Sequence, residues 1–288
     1  MSSADRWRDS LRAWAIPDEI LEAAPESPYG FPAELFRRRA EHATRREPTP
    51  TTLRALEALP EGGTVLDVGA GGAATSLPLA GRASRIVAVD GSAEMLESFE
   101  AAAGPAGIEA GTVLGTWPEV AADVEPADVV VCGHVFYNAQ DLVPFVRELS
   151  AHARRRVVVE LTDRHPWAWM HDLWRRFHGL ERPDGPTAGD AEAVLLESGL
   201  APEREDRVDE SGPAGFDRRE DAVALVRRRL CLGSDRDDEI AVALGDRLAE
   251  RNGLWSAGLP AQQVVTLWWD GATRSDESWS ASPSTSSG

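Results

Sequence analysis

The chain has 288 residues, 42% of them apolar, enough to bury the core of one α/β domain with additions. Its formal charge of -18 repels polyanions, so a nucleic-acid partner would need a basic patch strong enough to overcome the global field. All 30 basic residues are arginine, which excludes a lysine Schiff base, and the two cysteines, Cys132 and Cys231, show neither disulfide pairing nor metal-ligand spacing.

The arginine clusters at 37–39, 154–156 and 227–229 each abut an apolar helix or strand pattern and read as solvated faces rather than a phosphate track. No 18-residue apolar run occurs, and the start, Met1-Ser2-Ser3-Ala4-Asp5-Arg6-Trp7, has no signal-peptide core. With two isolated thiols this predicts a cytoplasmic protein with no membrane partner. The oligomeric state is not legible.

Trp7, Leu11 and Trp14 recur at helical spacing over 4–14, and Pro17 ends that helix. Asp18-Glu19 open a short second helix. The run Pro25-Glu26-Ser27-Pro28-Tyr29-Gly30-Phe31-Pro32 cannot continue it and reads either as a lid or as a linker with two anchored rings. Segments 33–43 and 51–59 read helical, so residues 1–61 form a helical N-terminal extension.

The main domain, 62–270, then alternates apolar strand runs (Val65–Val68, Ile86–Val89, Thr112–Leu114, Val129–Cys132, Val157–Glu160) with helical patterns, notably 93–103 and 141–151. Such alternation implies right-handed crossovers and a mainly parallel sheet covered on both faces, with the ligand at the carboxyl ends of the strands. Residues 190–198 read as a helix stopped by Gly199, and 203–208 as a charged edge strand. Segments 216–230 and 237–251 read as two amphipathic helices of an insertion spanning about 211–255. Gln263 to Trp269 is the last strand, and 271–288 is expected to be a disordered tail.

The stretch Val65-Leu66-Asp67-Val68-Gly69-Ala70-Gly71-Gly72-Ala73-Ala74 reads as strand, small-residue turn and helix start, with Asp90 at the tip of the next strand, 18 residues after Gly72. The glycines let backbone N–H groups approach a ligand, and the Asp90 carboxylate can accept both hydroxyls of a ribose. Alone, this G-x-G-x-x-A form also fits a nicotinamide dinucleotide, leaving an NAD(P)-dependent oxidoreductase open. Asp67 ahead of the first glycine, the long extension and the lack of a second nucleotide-binding half weigh against it. A cofactor-binding protein without catalysis is a third reading.

With Gly115-Thr116-Trp117 and Asp128-Val129-Val130-Val131-Cys132-Gly133-His134 in order behind these elements, the sequence resembles the class I S-adenosylmethionine-dependent methyltransferases over about 62–160. The resemblance implies a Rossmann-like three-layer sandwich, an α/β fold whose seven-stranded, mainly parallel sheet has an antiparallel last strand. It implies S-adenosyl-L-methionine as cofactor and methyl transfer to the oxygen or nitrogen of a small-molecule acceptor. By the same resemblance Gly69, Ala70 and Gly71 pass under the methionine portion, with Asp67 organising the loop. Asp90, beside Gly91, holds the ribose, Met95 packs on adenine, and Thr116 and Trp117 border its edge. Cys132 and Gly133 lead to His134, near the transferred methyl. The family's third loop glycine is Ala73 here.

In-line displacement from a sulfonium needs a positioned nucleophile and a desolvated cation, which aromatic rings can stabilise. Tyr29, Phe31, Phe136, Tyr137, Trp167 and Trp169 are the candidate rings, although Trp167 and Trp174, seven residues apart, equally fit core packing. For a hydroxyl acceptor the candidate bases are His134, His165 and His171, His134 being favoured by its strand-end position. Tyr137 and Asn138 follow it and either orient an acceptor or make the turn. The spacings among His165, His171 and His178 match no tight metal motif, so no metal is expected.

Overall fold

The computed structural model describes residues 1–30, 32–212 and 215–271. Phe31 and, apart from Gly271, the expected tail at 271–288 lie outside the described residues.

Four helices come first: α1 (Ser3–Arg12), α2 (Asp18–Ala23), α3 (Ala33–Arg45) and α4 (Pro50–Ala58). Ser2 caps α1 in a reciprocal capping box with Asp5, and Thr49 caps α4, whose first residue is Pro50. The core follows as β1 (Gly63–Val68), β2 (Ala83–Asp90), α5 (Ala93–Ala103), β3 (Glu109–Leu114), β4 (Ala127–Gly133), α6 (Leu142–His152) and β5 (Ala153–Thr162). Next come α7 (His171–His178), α8 (Ala188–Glu197) and β6 (Glu203–Asp209). α9 (Arg219–Arg229), α10 (Asp237–Leu244) and the hairpin β7 (Leu248–Arg251) with β8 (Leu254–Ala257) precede β9 (Gln262–Asp270).

The large sheet has seven strands in the order β3-β2-β1-β4-β5-β9-β6, parallel except for β9, which runs antiparallel to both neighbours. The expected seven strands and antiparallel last strand are therefore present, and β6 is the charged edge. β6 runs parallel to β5, so the carboxyl ends of β1, β2, β4, β5 and β6 all open on one edge of the sheet. Alternate side chains of the central strands enter two cores. Leu66, Val68, Val130, Val157, Val159 and Leu267 face α1, α6 and α8; Val65, Ile86, Ala88, Val129, Val131 and Val158 face α4 and α5. A third core joins α7, α9 and α10 with Met170 and Leu173.

Two expected elements differ. No α-helix follows the glycine turn: residues 69–82 make turns and a single tight turn of helix, Leu77–Leu79. Gly69, Gly71 and Ala73 all hold positive φ, and Pro78 removes an amide donor, so a helix cannot propagate here. Helix α3 packs instead on that tight turn and on α5, supplying the missing cover. The helix expected over 237–251 stops at Leu244, where Gly245 takes φ 53°, and residues 248–251 pair with β8.

Candidate functional site

β1 and β2 pair in register from Thr64–Arg85 to Val68–Val89, and Gly69 and Ala70 both donate their backbone N–H to the Val89 carbonyl. The turn is thereby sealed to the end of β2. Asp90 is held from two sides: one carboxylate oxygen accepts the Gly71 N–H at 2.8 Å, the other the Ser92 N–H at 2.9 Å. Asp90 is therefore a clamp on the glycine turn as well as an acceptor, since each carboxylate oxygen keeps a further lone pair.

The glycines answer to protein neighbours too. A Cβ at Gly69 would meet Val135 at 2.3 Å, and one at Gly72 would meet the Phe36 carbonyl oxygen at 2.5 Å. At Gly71 the neighbour is the Phe36 ring, at 2.9 Å. Helix α3 thus rests directly on the turn. Ala73 takes φ 64°, the left-handed conformation that glycine adopts without strain, so it keeps the turn's path at a cost of about 1 kcal/mol.

Asp67, 1% exposed, ends β1 beneath this turn. Ser76 donates to its Oδ2, while Oδ1 is buried and, among the described residues, has no hydrogen-bond partner. Burial pushes its carboxyl up to about 7, the Ser76 hydrogen bond opposes this and Asp90 adds to it. Cys132, beside it at the end of β4, is fully buried and its thiol is pushed well up by burial and by Asp67.

β4 ends in Gly133, and His134 turns the chain at φ 61° while its N–H donates to the Glu160 carbonyl at 2.6 Å. Its Nε2 lies 3.1 Å from Glu160 Oε1. Glu160 Oε2 accepts from Thr51 Oγ1 at 2.6 Å and from Arg207 Nη2 at 3.4 Å. Burial alone would raise the Glu160 carboxyl, but the His134 hydrogen bond and charge, then Thr51 and Arg207, outweigh it and bring it down to about 2. Glu160 is therefore an acceptor only, so His134 Nε2 carries hydrogen, and in the neutral ring Nδ1 has the free lone pair.

Sequence reasoning passed over Glu160, Thr51, Phe36 and Arg207. Glu160 carries the signal that singled out Asp67 and Asp90, an acidic residue closing an apolar run; the other three reach the site only through tertiary packing.

Several expected site residues have other surroundings. His165 stacks on Trp14 with ring centroids 3.7 Å apart, its Nδ1 accepts the Trp167 N–H, and burial pushes its pKa down to about 3, which leaves no usable base. His171 packs against the same indole, with its Nε2 buried and, among the described residues, without a hydrogen bond. Tyr137 is a core residue: its hydroxyl donates to the Thr162 carbonyl at 2.7 Å and its ring stacks on Trp7. Asn138 is exposed on the turn, and Tyr29 is 62% exposed on the strap ahead of α3.

Trp117 buries its indole under α6 and donates to the Phe145 carbonyl, and its neighbour Thr116 is exposed. Trp167 lies 4.5 Å beneath the Arg229 guanidinium, and Trp169 is covered by Arg247. Both stand among the partly buried rings of the third core.

The arginine clusters pair internally. Arg38 reaches Asp217, Arg156 reaches Glu57, and Arg227 and Arg228 grip Glu26. Arg229 donates to the carbonyls of Pro28 and Gly30, so the strap ahead of α3 is fastened to α9. No group of histidine, cysteine and acidic side chains suited to a metal occurs among the described residues.

Residues 66–158 match the family model described as a methyltransferase domain. Over those residues the chain is a methyltransferase domain. This match decides between the two readings of the glycine turn and makes S-adenosylmethionine the cofactor of the methyltransferase core. No curated protein matches the chain. Among solved structures, it is similar to the YcgJ protein from Bacillus subtilis, with 17% identity over 80% of this chain and 98% of that one and a TM-score of 0.48. A putative methyltransferase from Bacillus halodurans shows 14% identity, coverage of 78% and 99%, and a TM-score of 0.49. Magnesium protoporphyrin IX methyltransferase from Synechocystis, solved with bound S-adenosylhomocysteine, shows 13% identity, coverage of 92% and 99%, and a TM-score of 0.45.

The residues of the methyltransferase core fit that cofactor. A sealed glycine turn offers backbone donors, Asp90 retains acceptor capacity, and the partnerless Oδ1 of Asp67 suits an ammonium group or a water that it holds.

Proposed function

We propose that this chain methylates an oxygen or nitrogen of a small-molecule acceptor, with His134 as the base. The observation that carries the reading is the pairing of the sealed glycine turn, between Asp67 and Asp90, with a histidine–carboxylate dyad at the ends of the next two strands, β4 and β5, along the same sheet edge. Gly69, Ala70 and Gly71 would run under the methionine portion, Asp67 would meet its amino group, and Asp90, with Gly91 beside it, would take the ribose hydroxyls. Met95 and Thr116 would border adenine, with Cys132 and Gly133 forming the floor.

Bound there, S-adenosylmethionine would supply an electrophilic methyl group on a sulfonium, with the thioether as the leaving group. His134 Nδ1 accepts the acceptor's proton as that bond forms. Glu160 keeps the ring in the tautomer that makes Nδ1 the base and stabilises the imidazolium that results. Thr51 and Arg207 hold Glu160 ionised so that it can do this. The acidic surface supports a small acceptor rather than a polyanion.

The test is calorimetric titration with S-adenosylhomocysteine, followed by turnover on an acceptor panel. Wild type should bind at micromolar ligand, Asp90→Ala should weaken binding at least tenfold, and Glu160→Gln should leave binding intact while lowering kcat about 10²-fold or more. Absence of binding by wild type, or an Asp90→Ala variant that binds as well, overturns the proposal.

A further inference from the structure

Two buried hydroxyls stand behind the dyad. Thr266 of β9 lies directly opposite Glu160 of β5, so the two side chains share one face of the sheet, and α4 packs across both strands. Thr51, the second residue of α4, reaches both of them: its Oγ1 is 2.6 Å from Glu160 Oε2 and 2.8 Å from Thr266 Oγ1. Thr266 is 0% and Thr51 2% exposed, so bulk water reaches neither hydroxyl.

Counting hydrogens fixes the direction of these bonds. Glu160 faces His134 Nε2 at 3.1 Å and Arg207 Nη2 at 3.4 Å and acts only as an acceptor, so the hydrogen in its bond to Thr51 belongs to Thr51. A threonine hydroxyl carries one hydrogen. The 2.8 Å contact is then a hydrogen bond only with Thr266 donating to Thr51. The result is a chain of single sense, Thr266 to Thr51 to Glu160, with His134 donating to the other oxygen of the same carboxylate.

Packing alone does not call for this pair. Val264 and Trp268 flank Thr266 on the same face of β9, and valine has the shape to fill either threonine site. A buried hydroxyl has no advantage over a methyl group unless its hydrogen bonds offset its desolvation. Here the bonds end on a carboxylate, where a donor is about twice as strong as between neutral groups. The bond that Thr51 accepts from Thr266 polarises it and strengthens its own donation. Thr51 also brings the first turn of α4, the positive end of that helix, against Glu160.

We propose that Thr266 and Thr51 are positioning residues for the base, a hydroxyl relay of fixed direction that holds the Glu160 carboxylate against His134. No proton travels along it; each hydroxyl keeps its hydrogen and polarises the next. Thr51 belongs to α4 and Thr266 to the last strand, so segments on both sides of the matched residues 66–158 complete the dyad. The inference rests on the methyltransferase reading for the word base, but not for the relay itself.

The probe is the His134 Nε2–H proton, observed by NMR in the chain with neither cofactor nor acceptor and assigned by its absence in His134→Gln. Its exchange with water reports how firmly Glu160 accepts it. Thr51→Val should speed that exchange about tenfold, the loss of one bond to a charged group, and Thr266→Val about threefold. Thr51→Ser, which keeps the hydroxyl, should stay within about twofold of wild type. The double variant should exchange no faster than Thr51→Val alone, since Thr266 acts only through Thr51. With S-adenosylmethionine and the first panel acceptor that wild type methylates, kcat should fall in the same order while KM holds.

Unchanged exchange in Thr51→Val overturns the inference, because Arg207 alone would then set Glu160. So does Thr51→Ser exchanging as fast as Thr51→Val, which would make the methyl group rather than the hydroxyl the part that counts. Additive effects of the two valine variants would make Thr266 a packing residue and likewise end the relay. If Thr51→Val does not fold, Thr266→Val decides, and exchange as slow as in wild type rules the relay out. Turnover by Thr51→Val equal to that of wild type would remove the positioning role. Because exchange is read on the free chain, failure of the methyltransferase reading is distinguishable from failure of the relay.

Discussion

Asp67 carries the clearest single-residue consequence. Its folded carboxyl titrates near 7 against an ordinary 3.8, so the native state prefers the protonated form. The stabilisation that this proton provides is full below the ordinary value and is lost as pH rises through about 7. His165 acts in the opposite sense, since its folded pKa near 3 removes stability as pH falls below its usual 6.5. Comparison with Asp67→Asn isolates the first effect. The urea midpoint of the variant should gain on wild type as pH goes from 5 to 8; a constant difference would show that Asp67 is not buried as an acid. Residue-level strain clusters here too: Ala73 and His134 both hold left-handed backbone, one at each rim of the site.

Among elements, α3 does the work of a helix that the glycine turn cannot form. Its backbone touches Gly72 so closely that a methyl group there would sit 2.5 Å from the Phe36 carbonyl oxygen and 2.6 Å from its carbon. Backbone cannot yield as a flexible side chain can. Gly72→Ala should therefore cost about 1–3 kcal/mol and raise amide hydrogen exchange in α3 and the 69–76 turn more than in β4 or β5. Uniform exchange across the sheet would mean that α3 does not depend on the turn. The strap at 26–30 is a second such contact, held by α9 through Arg227, Arg228 and Arg229. The arginine run that reads as a solvated face in sequence is thus a fastening between segments about 200 residues apart.

At the scale of the whole molecule, residues 1–61 are not a layer apart. Trp7 and Leu11 enter the core under α6 and α8, Ala55 and Leu59 enter the opposite core, and Ile20 and Leu21 pack on the third. Trp7 is fully buried and donates its indole N–H to the Ala139 carbonyl at 2.8 Å. Trp7→Ala should cost about 3–5 kcal/mol although it lies some 60 residues before β1. Chemical denaturation should show one transition, shifted as a unit, by both fluorescence and circular dichroism. Separate transitions for the N-terminal helices and the sheet would contradict this interlocking.

What the sequence determined by itself was local and periodic. Strand runs at alternating spacing, Gly199 as a helix stop, the glycine turn, and acids at the ends of β1 and β2 all follow from backbone conformation and from burial pattern within a few residues. The match of those motifs to the methyltransferase domain could be made from chain order alone. Tertiary structure decided where packing between distant segments competes with local preference. It replaced the helix after the turn by α3, converted 248–251 from helix to hairpin, and withdrew His165 and Tyr137 into packed surroundings. It also brought Thr51 and Arg207 around Glu160. A carboxylate's partners, and hence its charge and its use, are set by whichever chains fold against it, and no periodicity along one segment encodes that.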